Sequence, residues 1–165
     1  SLNKPFCDGN HKYAGFTDAI SPDRSEDKVS SYVGKEITVL NNVMLCSVAG
    51  HCHKELESVF NVARDPWIEP DQGSPEHIKA LIEKCPSGAL SYVINGQPQA
   101  EADREPAITI EKNGPFRITG GIELKDANWG QGASHEHYTL CRCGASKNKP
   151  FCDGTHATSG FDDSK

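Results

Sequence analysis

The feature that most constrains this chain is an internal repeat built around cysteine and histidine. Residues 146–161 read Ser-Lys-Asn-Lys-Pro-Phe-Cys-Asp-Gly-Thr-His-Ala-Thr-Ser-Gly-Phe, and residues 1–16 match them at 11 of 16 positions. Each copy places a cysteine four residues before a histidine. Thiolate and imidazole bind soft and borderline metals such as iron and zinc, so the repeat predicts metal sites and disfavours hard cations such as calcium.

The C-terminal copy is preceded by two further cysteines. Cys141 and Cys143 stand upstream of Cys152 and His156, so four ligand-type residues fall within sixteen positions. A glycine, a proline and an Asp-Gly pair among them are turn formers that bring such ligands together locally. We predict a short helix that starts at Gly154 and is capped by the preceding aspartate, which would bring His156 beside Cys152.

This arrangement resembles the CDGSH, or NEET-type, iron-sulfur family, whose pattern is Cys-x-Cys, a Ser or Thr and a Pro, then Cys-Asp-Gly-x-His. Residues 106–165 carry the resemblance, and the pattern is complete. It implies a β-rich cap before the motif and a [2Fe-2S] cluster whose histidine-bound iron is the more exposed and acid-sensitive. A closed zinc site is the alternative, because zinc accepts the same ligands. The implied ligands are Cys141, Cys143, Cys152 and His156.

The N-terminal copy, in residues 1–20, is a partial motif. It supplies Cys7 and His11, but the Cys-x-Cys half would lie just before residue 1, and two ligands alone should not hold a cluster tightly. Either the natural chain extends upstream or the site is vestigial. We favour an upstream segment, because the turn residues and both ligands are retained. A second [2Fe-2S] cluster is then expected here, and the two CDGSH motifs are expected to pack as a pseudo-dimer.

A second group of cysteines lies between the repeats. Cys46, Cys52 and a distant Cys85-Pro pair fit the Cys-x2-Cys-x2-Cys frame of bacterial ferredoxins, with Ala49 in the second cysteine position. Residues 36–98 thus resemble single-cluster ferredoxins in which a missing cysteine goes with a [3Fe-4S] cluster. The alternative is that these are buried free cysteines.

A [4Fe-4S] cluster would need a fourth ligand for this middle site. The candidates are His51, His53 and solvent. Spacing does not decide between a three-iron and a four-iron cluster.

The surrounding pattern predicts an α+β fold, with a small β-rich cap at each CDGSH motif around a ferredoxin-like α+β insert. We predict a strand over 36–40, strands within 108–111, 114–124 and 137–141, and a helix through Ile78 to Ile82 capped by Ser74. Residues 17–35 and 99–113 are expected to be connectors. His135 and His137 lie in a polar stretch and are expected to be exposed.

Composition excludes several classes of function. The formal net charge is −6 without a basic run, so we expect no nucleic-acid binding. We expect no membrane association, because no apolar stretch approaches the ~20 residues of a membrane helix. Seven cysteines that fall into metal-binding frames indicate a reducing compartment, and we expect a cytoplasmic protein.

No catalytic constellation is recognisable, so we expect a protein that is not an enzyme. The leading hypothesis is electron transfer through both clusters to a redox protein partner. The alternative is a cluster carrier or an iron or redox sensor, which would release the histidine-bound [2Fe-2S] unit to an apo-acceptor protein. A zinc-stabilised interaction module is the third hypothesis.

Overall fold

The computed structural model describes residues 3–20, 22–99 and 101–164. It consists of two antiparallel sheets, two α-helices and four 3₁₀ turns within those residues, in agreement with the α+β class. The description excludes residues 1, 2, 21, 100 and 165. The first two positions of the repeat, and the outer ends of the predicted segments 1–20 and 106–165, therefore lie outside the described residues.

The first sheet belongs to the middle of the chain and has the order β1-β2-β3-β4. Its last two strands form a hairpin through Asn95 and Gly96, whose φ angles of 52° and 74° are those of a two-residue turn. The first strand falls in the predicted connector 17–35, so that prediction is wrong in part. The strands are β1 Ser30–Val33, β2 Thr38–Asn41, β3 Leu90–Ile94 and β4 Gln97–Pro98.

One face of this sheet packs against helix α2, Pro75–Ile82. The predicted cap is confirmed, since Ser74 accepts a hydrogen bond from the His77 N–H. A second helix, α1 His51–Glu55, begins immediately after the middle cysteine loop. The buried core between sheet and helices consists of Ile37, Val39, Val59, Phe60, Ile68, Ile78, Leu81, Ile82 and Leu90.

The cap gives a test of this local structure. We expect Ser74→Ala to lower the free energy of unfolding by about 1 kcal/mol, because a backbone N–H at the start of α2 loses its acceptor. The matched variant Ser74→Gly should lower the free energy of unfolding by only about a few tenths of a kcal/mol. Urea unfolding of both variants measures the difference, and equal losses would contradict a capping role.

The second sheet lies in the C-terminal part and has the order β5-β6-β7. The second and third of these strands fall inside the predicted ranges, and the first overlaps the predicted range 108–111 but begins and ends one residue earlier. Leu45 and Ala89 come from the middle of the chain and join the core under this sheet, so the two halves share a hydrophobic interior. The strands are β5 Ala107–Ile110, β6 Phe116–Thr119 and β7 Tyr138–Leu140, and the buried core residues they cover are Ile118, Tyr138 and Phe151.

The prediction for His137 is wrong, because only 6% of this residue is exposed. Its Nδ1 lies 3.1 Å from the Ser134 hydroxyl and 2.9 Å from a Glu136 carboxylate oxygen, and Arg104 forms an ion pair with that carboxylate. Burial, followed by the Arg104 charge, lowers the pKa of His137. The polar sequence around it therefore forms an internal hydrogen-bond network, whereas His135 is exposed as predicted.

None of the helices in the described residues has the length and apolar character needed to cross a bilayer.

Candidate metal centres

The C-terminal cysteines are brought together by an extension of the second sheet. The Cys141 N–H donates to the Pro150 carbonyl at 2.8 Å, and the Cys152 N–H donates to the Thr139 carbonyl at 2.9 Å. This pairing sets the end of β7 beside the segment that carries Cys152. The sulfur atoms of Cys141 and Cys143 are 3.8 Å apart.

The backbone around these sulfurs suits anionic ligands. The Ala145 N–H points at the Cys143 sulfur and the Gly154 N–H at the Cys152 sulfur, each at 3.4 Å. Burial raises the pKa of Cys141, and it raises that of Cys152 to about 12. The thiols are therefore neutral at pH 7 unless a metal cation replaces the protons, and the N–H donors then stabilise the thiolates. The donor set fits an iron-sulfur cluster or zinc.

Asp153 acts as a turn residue, as predicted. Its side chain accepts hydrogen bonds from the Lys147 N–H at 2.8 Å and the Thr155 N–H at 3.0 Å. Burial opposes ionisation of this carboxyl, but these hydrogen bonds outweigh burial and lower its pKa. The short helix is a 3₁₀ turn, Thr155–Ala157, which starts one residue later than predicted. Its N-cap residue is Gly154 and not the predicted Asp153.

The ring of His156 forms a hydrogen bond with a residue outside its own motif. Its Nε2 atom lies 3.0 Å from the backbone carbonyl of Ser47, 109 residues away. Because a carbonyl only accepts, Nε2 carries the proton and Nδ1 is the atom left to bind metal. The partner carbonyl follows directly after Cys46, a predicted ligand of the middle site.

The N-terminal copy of the repeat has the same local structure. Gly9 and Gly154 both have φ 82°, with ψ −5° and −6°, and each precedes a 3₁₀ turn that includes the histidine. The Gly9 N–H points at the Cys7 sulfur at 3.4 Å, as in the other copy. The Cys7 sulfur and the Nδ1 of His11 lie 3.4 Å apart. The repeated residues therefore adopt the same local backbone conformation in both copies.

The two copies differ in their burial. Phe151 is 2% exposed and its counterpart Phe6 is 70% exposed. Cys7 and His11 are exposed as well. Among the described residues, the N-terminal copy has two ligand-type side chains, whereas the C-terminal motif has four. It contacts the C-terminal motif through Phe16, whose ring lies 6.0 Å from the Lys149 ammonium.

The three middle cysteines line one cavity. Cys46 precedes α1, Cys52 lies in its first turn, and Cys85 follows α2. Burial raises the pKa of Cys46 and of Cys52, and the neighbouring Cys85 raises both further. The three cysteines therefore lie close together, and a bound metal would favour the thiolate forms of Cys46 and Cys52. Ala49 lines the same cavity, at the position where the ferredoxin frame has a cysteine.

The two histidines that are candidate ligands for the middle site differ in their position relative to this cavity. His51 lines it, but its Nδ1 lies 2.8 Å from a Glu55 carboxylate oxygen, and the side chain is 47% exposed. His53 is not among the lining residues in the described part of the chain. The Glu55 carboxylate therefore engages one of the two ring nitrogens of His51.

The two centres are in direct contact through the loop that follows Cys46. A Cβ atom on Gly154 would overlap the Val48 side chain and lie 3.0 Å from the Cys46 carbonyl. The Asn148 side chain donates to the Met44 carbonyl at 2.9 Å. Sequence reasoning missed this contact, because no local pattern indicates which residues a loop meets across the fold.

This contact can be tested with a matched pair of glycines. We expect Gly154→Ala to destabilise the protein by several kcal/mol, on the order of 3, because it adds a clash with the loop to the strain of a side chain at φ 82°. Gly9→Ala adds the same strain, but a Cβ there meets nothing within 4 Å. The Gly9→Ala change should therefore cost about 1–2 kcal/mol. Thermal unfolding of both variants measures the difference, and equal effects would argue against the loop contact.

Two known families match the chain in separate segments. Residues 32–95 match the family described as a divergent 4Fe-4S mono-cluster, and residues 113–157 match the iron-binding zinc finger of CDGSH type. The first segment contains the three middle cysteines, and the second contains the C-terminal set. The geometry and the matches define an iron-sulfur protein with two binding modules. Residues 1–20 lie outside both matched segments.

The relatives of known sequence give the family. The chain is 39% identical over 61 residues to the uncharacterized protein YjdI of Escherichia coli K12, a match that covers 37% of this chain and 80% of YjdI. YjdI of Escherichia coli O157:H7 matches to the same extent. This chain belongs to the family of YjdI. No solved structure matches it.

Proposed function

We propose that this protein is a one-electron carrier with two iron-sulfur clusters. The observation that supports this most is that two separate groups of thiols lie on either side of one loop, the loop that follows Cys46. A [2Fe-2S] cluster is proposed at the C-terminal group and a [3Fe-4S] cluster at the middle group. The ligands are Cys141, Cys143, Cys152 and His156 for the first, and Cys46, Cys52 and Cys85 for the second.

The chain has a distinct role at each site. Bound clusters supply reversible one-electron oxidation and reduction of iron. Burial of Cys152 keeps water from its sulfur, and the Gly154 N–H stabilises negative charge there. The Ala145 N–H does the same at the Cys143 sulfur. An imidazole ligand carries less charge than a thiolate, so His156 should raise the potential of the C-terminal centre above that of an all-cysteine site.

The three-iron form is proposed because Ala49 stands where the ferredoxin frame has its second cysteine ligand. An alanine offers no donor atom, and His51 directs its Nδ1 to Glu55. A cube with one corner lacking a protein ligand readily loses that iron. A [4Fe-4S] cluster with solvent at the fourth corner is the alternative.

The partner is proposed to be a redox protein with a positively charged docking surface. The net charge of −6 favours attraction of such a surface. A further [2Fe-2S] cluster at Cys7 and His11 requires a Cys-x-Cys segment in addition to the described residues. The contact of Phe16 with Lys149 supports pseudo-dimeric packing of the two motifs.

Metal analysis of anaerobically purified protein tests this proposal. About five irons and six sulfides per chain are expected for one [2Fe-2S] and one [3Fe-4S] cluster, and about six irons for a four-iron middle centre. A redox titration followed by electron paramagnetic resonance should then show two separate one-electron transitions. Zinc without sulfide would refute the proposal and leave a structural metal protein.

A cluster carrier is the second candidate, because His156 is only half-buried and is followed by exposed residues. In that role the histidine corner would release the [2Fe-2S] unit to an apo-acceptor protein. The variant His156→Cys separates the two functions. An electron carrier should keep its cluster at a lower potential, whereas a carrier of clusters should lose its transfer rate to an apo-ferredoxin. Unchanged transfer by this variant would rule out release through the histidine.

A further inference from the structure

A further cavity, here called the junction cavity, lies where the middle module meets the C-terminal part of the chain. It has a volume of about 360 Å³, which is a typical size for a small-molecule site, and such sites are common at the junction of two modules. The middle module contributes His51 and residues 83–86 to its wall. The later part of the chain contributes Arg104, Arg117, Thr119 and His137.

Regular structure positions the basic side chains of the junction cavity. Arg117 precedes the buried Ile118 on β6, so its side chain lies on the face of the second sheet that is opposite to the core. Lys84 follows the end of α2. The Arg104 guanidinium donates to the Glu83 carbonyl at 2.6 Å, and this hydrogen bond joins the two sides of the cavity.

The wall of the junction cavity is cationic. Lys84, Arg104 and Arg117 contribute three positive charges, and Glu83 is the one acidic residue of the wall among the described residues. Each of the three cations also forms an ion pair, but the carboxylates in those pairs do not line the cavity. Ammonium and guanidinium groups carry several N–H donors, so Lys84 and Arg117 retain donors for a ligand.

Two residues of this wall each have a buried nitrogen atom that makes no hydrogen bond to the described residues. The Nε of Arg117 lies 3.3 Å from a Glu111 carboxylate oxygen, but this contact does not have the geometry of a hydrogen bond. The second atom is the Nε2 of His137. A buried polar atom without a partner costs free energy, so these atoms indicate a place for a polar ligand beside them.

We propose that the junction cavity binds a small anion that carries phosphate or carboxylate groups. Guanidinium and ammonium groups are the side chains that recognise these oxyanions. The anion would lie next to the middle centre, because His51 and Cys85 line both the junction cavity and the cavity of the three middle cysteines. Its negative charge would oppose the gain of an electron there and lower the potential of that centre, a consequence that rests on the proposed function.

Titration of the purified protein with inorganic phosphate and with succinate tests the site. Calorimetry at constant ionic strength, set with sodium chloride, separates binding from general screening of charge. We expect saturable binding of at least one of the two anions. Binding of phosphate alone identifies a phosphate-type ligand, binding of succinate alone identifies a dicarboxylate, and binding of both supports recognition of oxyanions in general. Absence of saturable binding of either anion would overturn the proposal.

Two variants and a matched control locate the bound anion. Lys84→Gln and Arg117→Gln should each weaken the affinity about tenfold, because each removes a charge-assisted hydrogen bond. Lys125→Gln removes the same charge from a lysine that also pairs with a glutamate but does not line the cavity, so it should leave the affinity unchanged. Affinity that neither cavity variant alters would contradict binding at this site.

A redox titration with and without the anion tests the link to the middle centre. A saturating anion should lower the potential of the middle centre more than that of the C-terminal centre, whose proposed ligands do not line the cavity. Unchanged potentials with the anion bound would refute this link. If the anion binds but the protein holds no cluster, the proposed function fails and the anion site stands. If the clusters are present and neither anion binds, the anion site fails and the proposed function stands.

Discussion

Replacing Cys152 by serine should remove about two irons and two sulfides per chain. Its sulfur is nearly fully buried and receives a backbone N–H, so it is the ligand that the fold prepares most completely. A serine hydroxyl at this depth has a far higher pKa than a thiol and is a poor ligand for iron. The middle centre should keep its iron, because its three cysteines lie in a separate cavity.

The repeat offers a matched control for this change. Cys7 occupies the corresponding position, with the same N–H to sulfur contact, but it is exposed. Among the described residues, His11 is the one other ligand-type side chain beside it. In a protein of this sequence, Cys7→Ser should leave the iron and sulfide content unchanged. Iron and sulfide assays with visible absorption spectra distinguish the variants. Equal loss in both would show that the N-terminal copy also holds metal.

Metal-free protein should lose stability steeply in alkali. Burial raises the pKa of Cys152 to about 12 from an ordinary value of 9.0, so the folded chain holds this proton more tightly than the unfolded chain does. The resulting stabilisation is fully present below pH 9 and is lost as the pH rises toward 12. Each pH unit in that window should cost about 1.4 kcal/mol in the free energy of unfolding. The raised pKa values of Cys46, Cys52 and Cys141 act in the same direction.

Urea unfolding at pH 8 to 11 measures this effect. Cys152→Ala in the metal-free state should remove the share of the alkaline slope that this residue contributes. The metal-loaded protein should show little alkaline loss from these residues, because its cysteines are already thiolates. A slope that Cys152→Ala leaves unchanged would contradict the burial argument.

Much of the local structure follows from the sequence because it is set by neighbouring residues. The Ser74 cap and the apolar spacing of Ile78, Leu81 and Ile82 define α2. The Asp-Gly turns give both copies of the repeat the same backbone, although one is buried and the other exposed. The cysteine spacings likewise specify which donor atoms are available, and hence the class of metal that each group accepts.

Prediction from the sequence failed for features that depend on contacts between residues far apart in the chain. The strand β1, Ser30–Val33, has little apolar character, and it forms because its backbone pairs with β2. His137 is surrounded by polar residues in the sequence, yet Arg104 and Ser134 meet it in a buried network. Backbone pairing and buried polar networks depend on which groups the fold brings together, and residue type alone does not encode that.

The sequence by itself determined the ligand chemistry, the repeat and the two modules, because thiol and imidazole spacing and turn formation are local properties of the chain. Only the tertiary structure decided how the modules meet. Ser47 and His156 are 109 residues apart, and the shared core of Leu45 and Phe151 brings their segments together. A hydrogen bond across that separation is fixed by the packing of both sheets, so no pattern of neighbouring residues predicts it.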